Sequence, residues 1–135
     1  MQCIESTSLS VLWNGGATQT FKPGRGIRQG DPLSPYIFVM CLERLSQIIN
    51  RRVEENSWKP FSVRRNGLKI SHLCFADDML LFTEASLEQL EIVSQCMDMF
   101  CSTSGQKVSA TKTRIFFFKN VSTSLTNAIN RRTKF

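Results

Sequence analysis

The stretch HLCFADDMLLF, residues 72–82, sets Asp77 and Asp78 side by side between two apolar runs. Each run, LCFA and MLLF, is too short for an independent helix, and together they read as the arms of a buried β-hairpin. Two aspartates make a poor two-residue turn, because such turns need positive φ and favour Asn-Gly. The chain places Asn-Gly elsewhere, at residues 14–15 and 66–67, so Asp-Asp serves something other than turning. Carboxylates this close repel each other, and a bound divalent cation removes the conflict. Mg2+ prefers hard oxygen ligands and completes its octahedron with water and substrate phosphates. Metal ions held this way serve phosphoryl transfer. The residues alone leave two readings open, a catalytic metal site and a capped or strained structural turn. Glu54-Glu55, among polar neighbours, reads as the ordinary case of paired acids at a frayed helix end.

Upstream lies RGIRQGDPLSP, residues 25–35. Gly26 and Gly30 permit positive φ or close backbone approach to a ligand. Arg25 and Arg28 offer charge to phosphates, Gln29 can hydrogen-bond a base or sugar, and Ser34-Pro35 opens a helix as N-cap and first residue. That helix runs about six turns without a breaker to Asn56. Before the loop, SLSVLWNGGATQTF (8–21) reads as a hairpin turning at Asn14-Gly15. After the helix, Pro60 and Asn66-Gly67 punctuate a short polar hairpin. Residues 86–104 form a second helix from Ser86, with Leu90, Val93, Met97 and Phe100 at helical spacing and Gly105 at its end. TRIFFF (113–118) reads as a strand, and residues 121–135 as a basic polar tail. This order predicts an α+β fold with helices on one face of an antiparallel sheet.

With 135 residues the chain holds one core, and no apolar run is long enough for a membrane span or patterned as a secretory signal. A soluble intracellular protein without a membrane partner is expected. Its five cysteines (Cys3, Cys41, Cys74, Cys96, Cys101) lack CxxC spacing, which argues against a disulfide framework or a zinc site. The net charge of +6 is uneven: from Gly105 onward there are seven basic residues, Lys107, Lys112, Arg114, Lys119, Arg131, Arg132 and Lys134, and no acid. That is either a nucleic-acid footprint or a solvated basic surface.

The two informative segments together resemble the reverse transcriptase domain of LINE-type (non-LTR) retrotransposons, especially those of plants. RGIRQGDPLSPYIF is similar to the family's motif B and HLCFADDMLLF to motif C; SGQKVSATKTRIFFF looks like motif D, and SVLWNG like the hairpin before motif B. The likeness covers about residues 8–120. It implies a partial right-hand polymerase palm, a ferredoxin-like antiparallel sheet with packed helices. The implied activity is that of an RNA-directed DNA polymerase, a nucleotidyltransferase using two Mg2+ ions, with RNA template, DNA primer and dNTP as partners and a nuclear or cytoplasmic location. By the same resemblance Asp77 ligates catalytic Mg2+ and Asp78 supports that site. Phe75 lies near the primer end, Arg28, Gln29 and Gly30 line the nascent base-pair pocket, and Lys112 sits near the pyrophosphate as electrostatic stabiliser or proton donor. Read from residues alone, Lys112 is equally a surface lysine.

The family also needs an aspartate from an upstream strand, motif A. The acids before Asp77 are Glu5, Asp31, Glu43, Glu54 and Glu55, none in an apolar strand. The chain is therefore expected to be a fragment, inactive alone. A non-catalytic nucleic-acid-binding remnant, an unstable relic and a piece of a group II intron maturase are the alternatives.

Overall fold

The structure is a computed structural model that describes residues 8–24, 26–27, 30–64 and 67–133. Two compact units divide at Val39/Met40. The first contains β1 (Leu12–Trp13) and β2 (Gly16–Ala17), an antiparallel pair turning at Asn14-Gly15. Both turn residues have positive φ, 47° and 81°, the type I′ geometry that suits the strand twist. A bridge from Leu9 to Phe21, with both N–H groups donating at 2.8 Å, lengthens the ribbon.

Helix α1 (Ser34–Glu54) starts as expected, with one difference in its cap. The Asp31 side chain accepts from Leu33 N at 2.8 Å and its carbonyl from Ser34 N at 3.1 Å, forming a turn with Pro32 at its second position. The helical ladder then begins with Ile37 N donating to Leu33 O, so Ser34 lies inside the first turn and does not cap it. The far end is closed rather than frayed. Asn56 adopts φ 56°, its N–H donates to Val53 O, and Ser57 N–H donates to Arg52 O, which together make a Schellman motif.

In the second unit the core is built by Leu45, Ile48 and Ile49 of α1, Trp58 below it, and Val93, Cys96, Met97 and Phe100 of α2 (Leu87–Ser104). Each buried aliphatic or aromatic side chain contributes about 1.5–3 kcal/mol. Helix α2 has the expected ends: Ser86 Oγ accepts from Gln89 N, and Gly105 at φ 70° donates to Cys101 O.

Among the described residues, three antiparallel pairs replace the single sheet expected from the element order. Besides β1–β2 these are β3 (Phe61–Ser62) with β4 (Lys69–Ile70), and β5 (His72–Phe75) with β6 (Asp78–Leu81). The loop joining β3 to β4 carries Asn66, which lies outside the described residues, as do Cys3, Glu5, Arg25 and Lys134.

One further expectation fails. Residues 113–118 form no strand, and Phe116 is 87% exposed while Phe118 stacks on Phe61 with ring centroids 5.2 Å apart. Strand propensity without a neighbouring edge offers the backbone no ladder, and none is formed here. The basic polar tail contains α3 (Thr123–Arg132), capped by Ser122 Oγ and with Arg131 and Arg132 at the negative end of its dipole. Ile129 is its buried residue, and α3 lies against α2. No helix among the described residues is long and apolar enough to cross a membrane.

Candidate active site

Hairpin β5–β6 pairs His72 with Leu81, Leu73 with Leu80, Cys74 with Met79, and Phe75 with Asp78. The turn is therefore Ala76-Asp77, one residue earlier than an Asp-Asp tip. Ala76 takes the positive φ, 50°, and Asp77 does not, the φ pattern of a II′ turn in which glycine is the usual first residue. Side chains alternate across the sheet, so Met79 and Leu81 pack on the core while Leu73, Phe75, Asp78 and Leu80 share the outer face. Phe75 is 83% exposed and stands directly across from Asp78.

The base of this hairpin is tied down by polar contacts. Phe82 N donates to Ser71 O at 2.8 Å, and the Trp58 indole, 1% exposed, donates to Phe82 O at 2.9 Å. Gln89, fully buried, accepts from Lys59 N (2.9 Å) and Thr83 Oγ1 (2.7 Å) and donates to Ser57 O (2.7 Å). A glutamine three positions after a serine cap ordinarily turns back to that cap. Here it turns inward and joins three chain segments, which the sequence pattern did not reveal. His72 bonds Ser71 Oγ through Nδ1 at 2.9 Å; burial pushes its pKa down, partly offset by the charge of Glu43.

At the other end, Asp77 and Asp78 are exposed, and neither carboxylate accepts a hydrogen bond or ion pair from any described residue. Hard oxygen donors left open at a rigidly based tip suit a divalent cation. The set is incomplete, since no group of three or more His, Cys, Asp or Glu is placed to hold a metal ion among the described residues. Of the other acids, Asp31 serves the start of α1 and Glu55 pairs with Arg51 (3.3 Å) and Arg52 (3.6 Å). Lys112 belongs to the second unit, in a turn closed by its own N–H on Ser109 O; its ammonium meets neither aspartate. Gly30 belongs to the first unit, with φ 81° and nothing within 4 Å of the place a Cβ would take, so conformation rather than space calls for glycine. Arg28 and Gln29 lie outside the described residues.

Residues 2–133 match the model of the reverse transcriptase (RNA-dependent DNA polymerase) family, and the chain belongs to that family. An uncharacterized mitochondrial protein of Arabidopsis thaliana is 46% identical over 70 residues, 52% of this chain and 57% of that protein. The retrovirus-related Pol polyprotein of the type-2 retrotransposable element R2DM of Drosophila melanogaster is 29% identical over 80% of this chain and 9% of its own length. The corresponding polyprotein of the type-1 element R2 of Nasonia vitripennis is 38% identical over 63% of this chain and 8% of its own. These polyproteins come from non-LTR retrotransposons, the group that the aspartate hairpin and glycine loop resemble. The chain thus spans just over half of one relative and less than a tenth of the other two. No solved structure gives a significant match.

Proposed function

We propose that this chain is part of the palm of an RNA-directed DNA polymerase from a non-LTR retrotransposon. The reaction is attack of a primer 3′-hydroxyl on the α-phosphate of a dNTP paired with an RNA template, with release of pyrophosphate. The observation that carries the reading is the β5–β6 hairpin, anchored at its base and presenting at its tip two carboxylates with no partner among the described residues. Asp77 and Asp78 would hold Mg2+, which when bound polarises the phosphate and lowers the pKa of the attacking oxygen. Phe75, paired across the hairpin with Asp78, would pack against the primer end. Arg28, Gln29 and Gly30 are assigned to the incoming base pair. Lys112 is assigned to the charge that develops on pyrophosphate.

Two observations support a ferredoxin-like palm with a further strand. Among the described residues, 113–118 are β-prone yet pair with no strand, and β5–β6 pairs with no third strand. A strand bringing a third carboxylate would supply both the missing ladder and the missing ligand.

The test is Mg2+-dependent extension of a labelled DNA primer on an RNA template by the longest product of this reading frame. Asp77→Ala should reduce extension by at least about a hundredfold while Glu91→Gln leaves it unchanged. Extension indifferent to Asp77→Ala would overturn the proposal. The chain by itself, with two carboxylates, is expected to extend nothing. A second reading draws on that incomplete set together with the basic residues after Gly105: a non-catalytic nucleic-acid binder whose affinity falls with salt and ignores Asp77→Asn.

A further inference from the structure

The outer face of α1 carries a basic groove that plays no part in the site above. It holds about 220 Å3 between Arg44, Gln47, Arg51 and Arg52, with Met99 of α2 also in its lining. Glu55 is the one carboxylate among the described residues lining it, and it is already paired with Arg51 Nε at 3.3 Å and Arg52 Nη1 at 3.6 Å. The Gln47 side-chain oxygen is engaged as well, accepting from Arg44 Nη1 at 3.4 Å. Acceptors are thus used up while donors are left over. The terminal nitrogens of Arg51, the Nε and Nη2 of Arg44 and the Gln47 amide nitrogen have no partner among the described residues.

That imbalance specifies a ligand. Water can accept from the spare donors but cannot offset the charge, because three guanidinium groups against one carboxylate leave two unbalanced positive charges. A single dianion neutralises both, whereas a monocarboxylate only repeats what Glu55 supplies. Arg44 and Arg51 lie two turns apart on one face, so each guanidinium need reach only about 5 Å along the axis for the two to meet over Gln47. Guanidinium groups grip phosphate oxygens two at a time, and a tetrahedral oxyanion turns oxygens toward both arginines at once. We propose that the groove is a binding site for one phosphate dianion, the free ion or the phosphate group of a small monoester, held by Arg44, Gln47 and Arg51. The inference rests on the donors and charge of α1 and not on the polymerase reading.

The experiment is a titration of the full chain with inorganic phosphate at constant ionic strength, followed by calorimetry and by the Met99 methyl resonance. Saturable one-to-one binding with a shift at Met99 is expected. Arg44→Gln/Arg51→Gln should bind at least about tenfold more weakly. Lys107→Gln/Lys119→Gln removes the same charge elsewhere and should bind as the natural chain does. Glu55→Gln removes the competing carboxylate and should bind about threefold more tightly, a gain that a poorly folded variant cannot imitate. Methyl phosphate separates the two sources: comparable binding assigns the site to a monoester, and its exclusion assigns the site to the free ion. A phosphate group loses its second charge below about pH 6, and binding should weaken there. No saturable binding by the natural chain, an unmoved Met99 methyl, equal loss in the two double variants, or the same Met99 shift with acetate would each overturn the inference. Primer extension is not the readout, so the polymerase reading and this site stand or fall separately.

Discussion

Ala76 holds the least comfortable backbone position near the site. An L-residue at φ 50° costs about 1–2 kcal/mol, and a β-branched side chain there costs more. Ala76→Val should therefore lower stability by roughly 1–2 kcal/mol in urea unfolding, with the hairpin amides exchanging fastest. Gln89 is the opposite case, a polar group whose burial is fully matched. Gln89→Leu would strand Lys59 N–H and Ser57 C=O and leave the Thr83 hydroxyl only its longer bond to Lys59 O, 3.2 Å, and a loss of about 3 kcal/mol is expected from the same measurement. His72 sets a pH dependence. Burial holds its folded pKa below the ordinary value of about 6.5, so as pH falls the unfolded chain takes up a proton first. The His72 contribution is thus whole above that pH and is lost progressively below it until the folded imidazole protonates. Urea midpoints measured from pH 7 to lower values should fall more steeply in the natural chain than in His72→Gln, and more steeply still in Glu43→Gln.

Among the elements, those with both a periodic apolar face and end signals were legible in the sequence. Helix α2 has Ser86, Val93, Met97, Phe100 and Gly105 in the expected roles, and the Asn14-Gly15 hairpin turns where its dipeptide says. Helix α3 was not legible, because Ser, Thr and Asn dominate it and Ile129 alone is buried. Its existence depends on packing against α2 and on the Ser122 cap. Ser122→Ala should cost about 1 kcal/mol, expressed as faster hydrogen exchange at Leu125, whose N–H bonds Ser122 Oγ, and along the rest of α3 at Thr126 and Thr133, with little change in the α2 amides. The IFFF run failed in the other direction: propensity was clear, but a strand is a property of two neighbours and the second is missing from the described residues. At the site, the hairpin was readable from its apolar flanks, while its one-residue register was not. Pairing across the strands, which puts Phe75 opposite Asp78, decides that the turn is Ala76-Asp77.

For the molecule as a whole, Leu73, Phe75, Leu80, Phe116 and Phe118 leave apolar surface exposed, and among the described residues the short strands form only two-stranded pairs. Such surface drives self-association. Phe116→Lys should reduce the concentration-dependent sedimentation of the chain while leaving its thermal midpoint within about 1 °C, since the side chain is almost fully solvated and surface changes of this kind are near neutral. Lack of any change in sedimentation would show that Phe116 is not part of the associating surface. The two tryptophans lie one in each unit: Trp13 is largely solvated, and Trp58 is enclosed with its indole on the carbonyl that closes the aspartate hairpin. Their emission should differ in wavelength for that reason. With Trp13→Phe the remaining fluorescence becomes an optical gauge of the hairpin's footing, able to follow cation titration at Asp77 and Asp78 without any label.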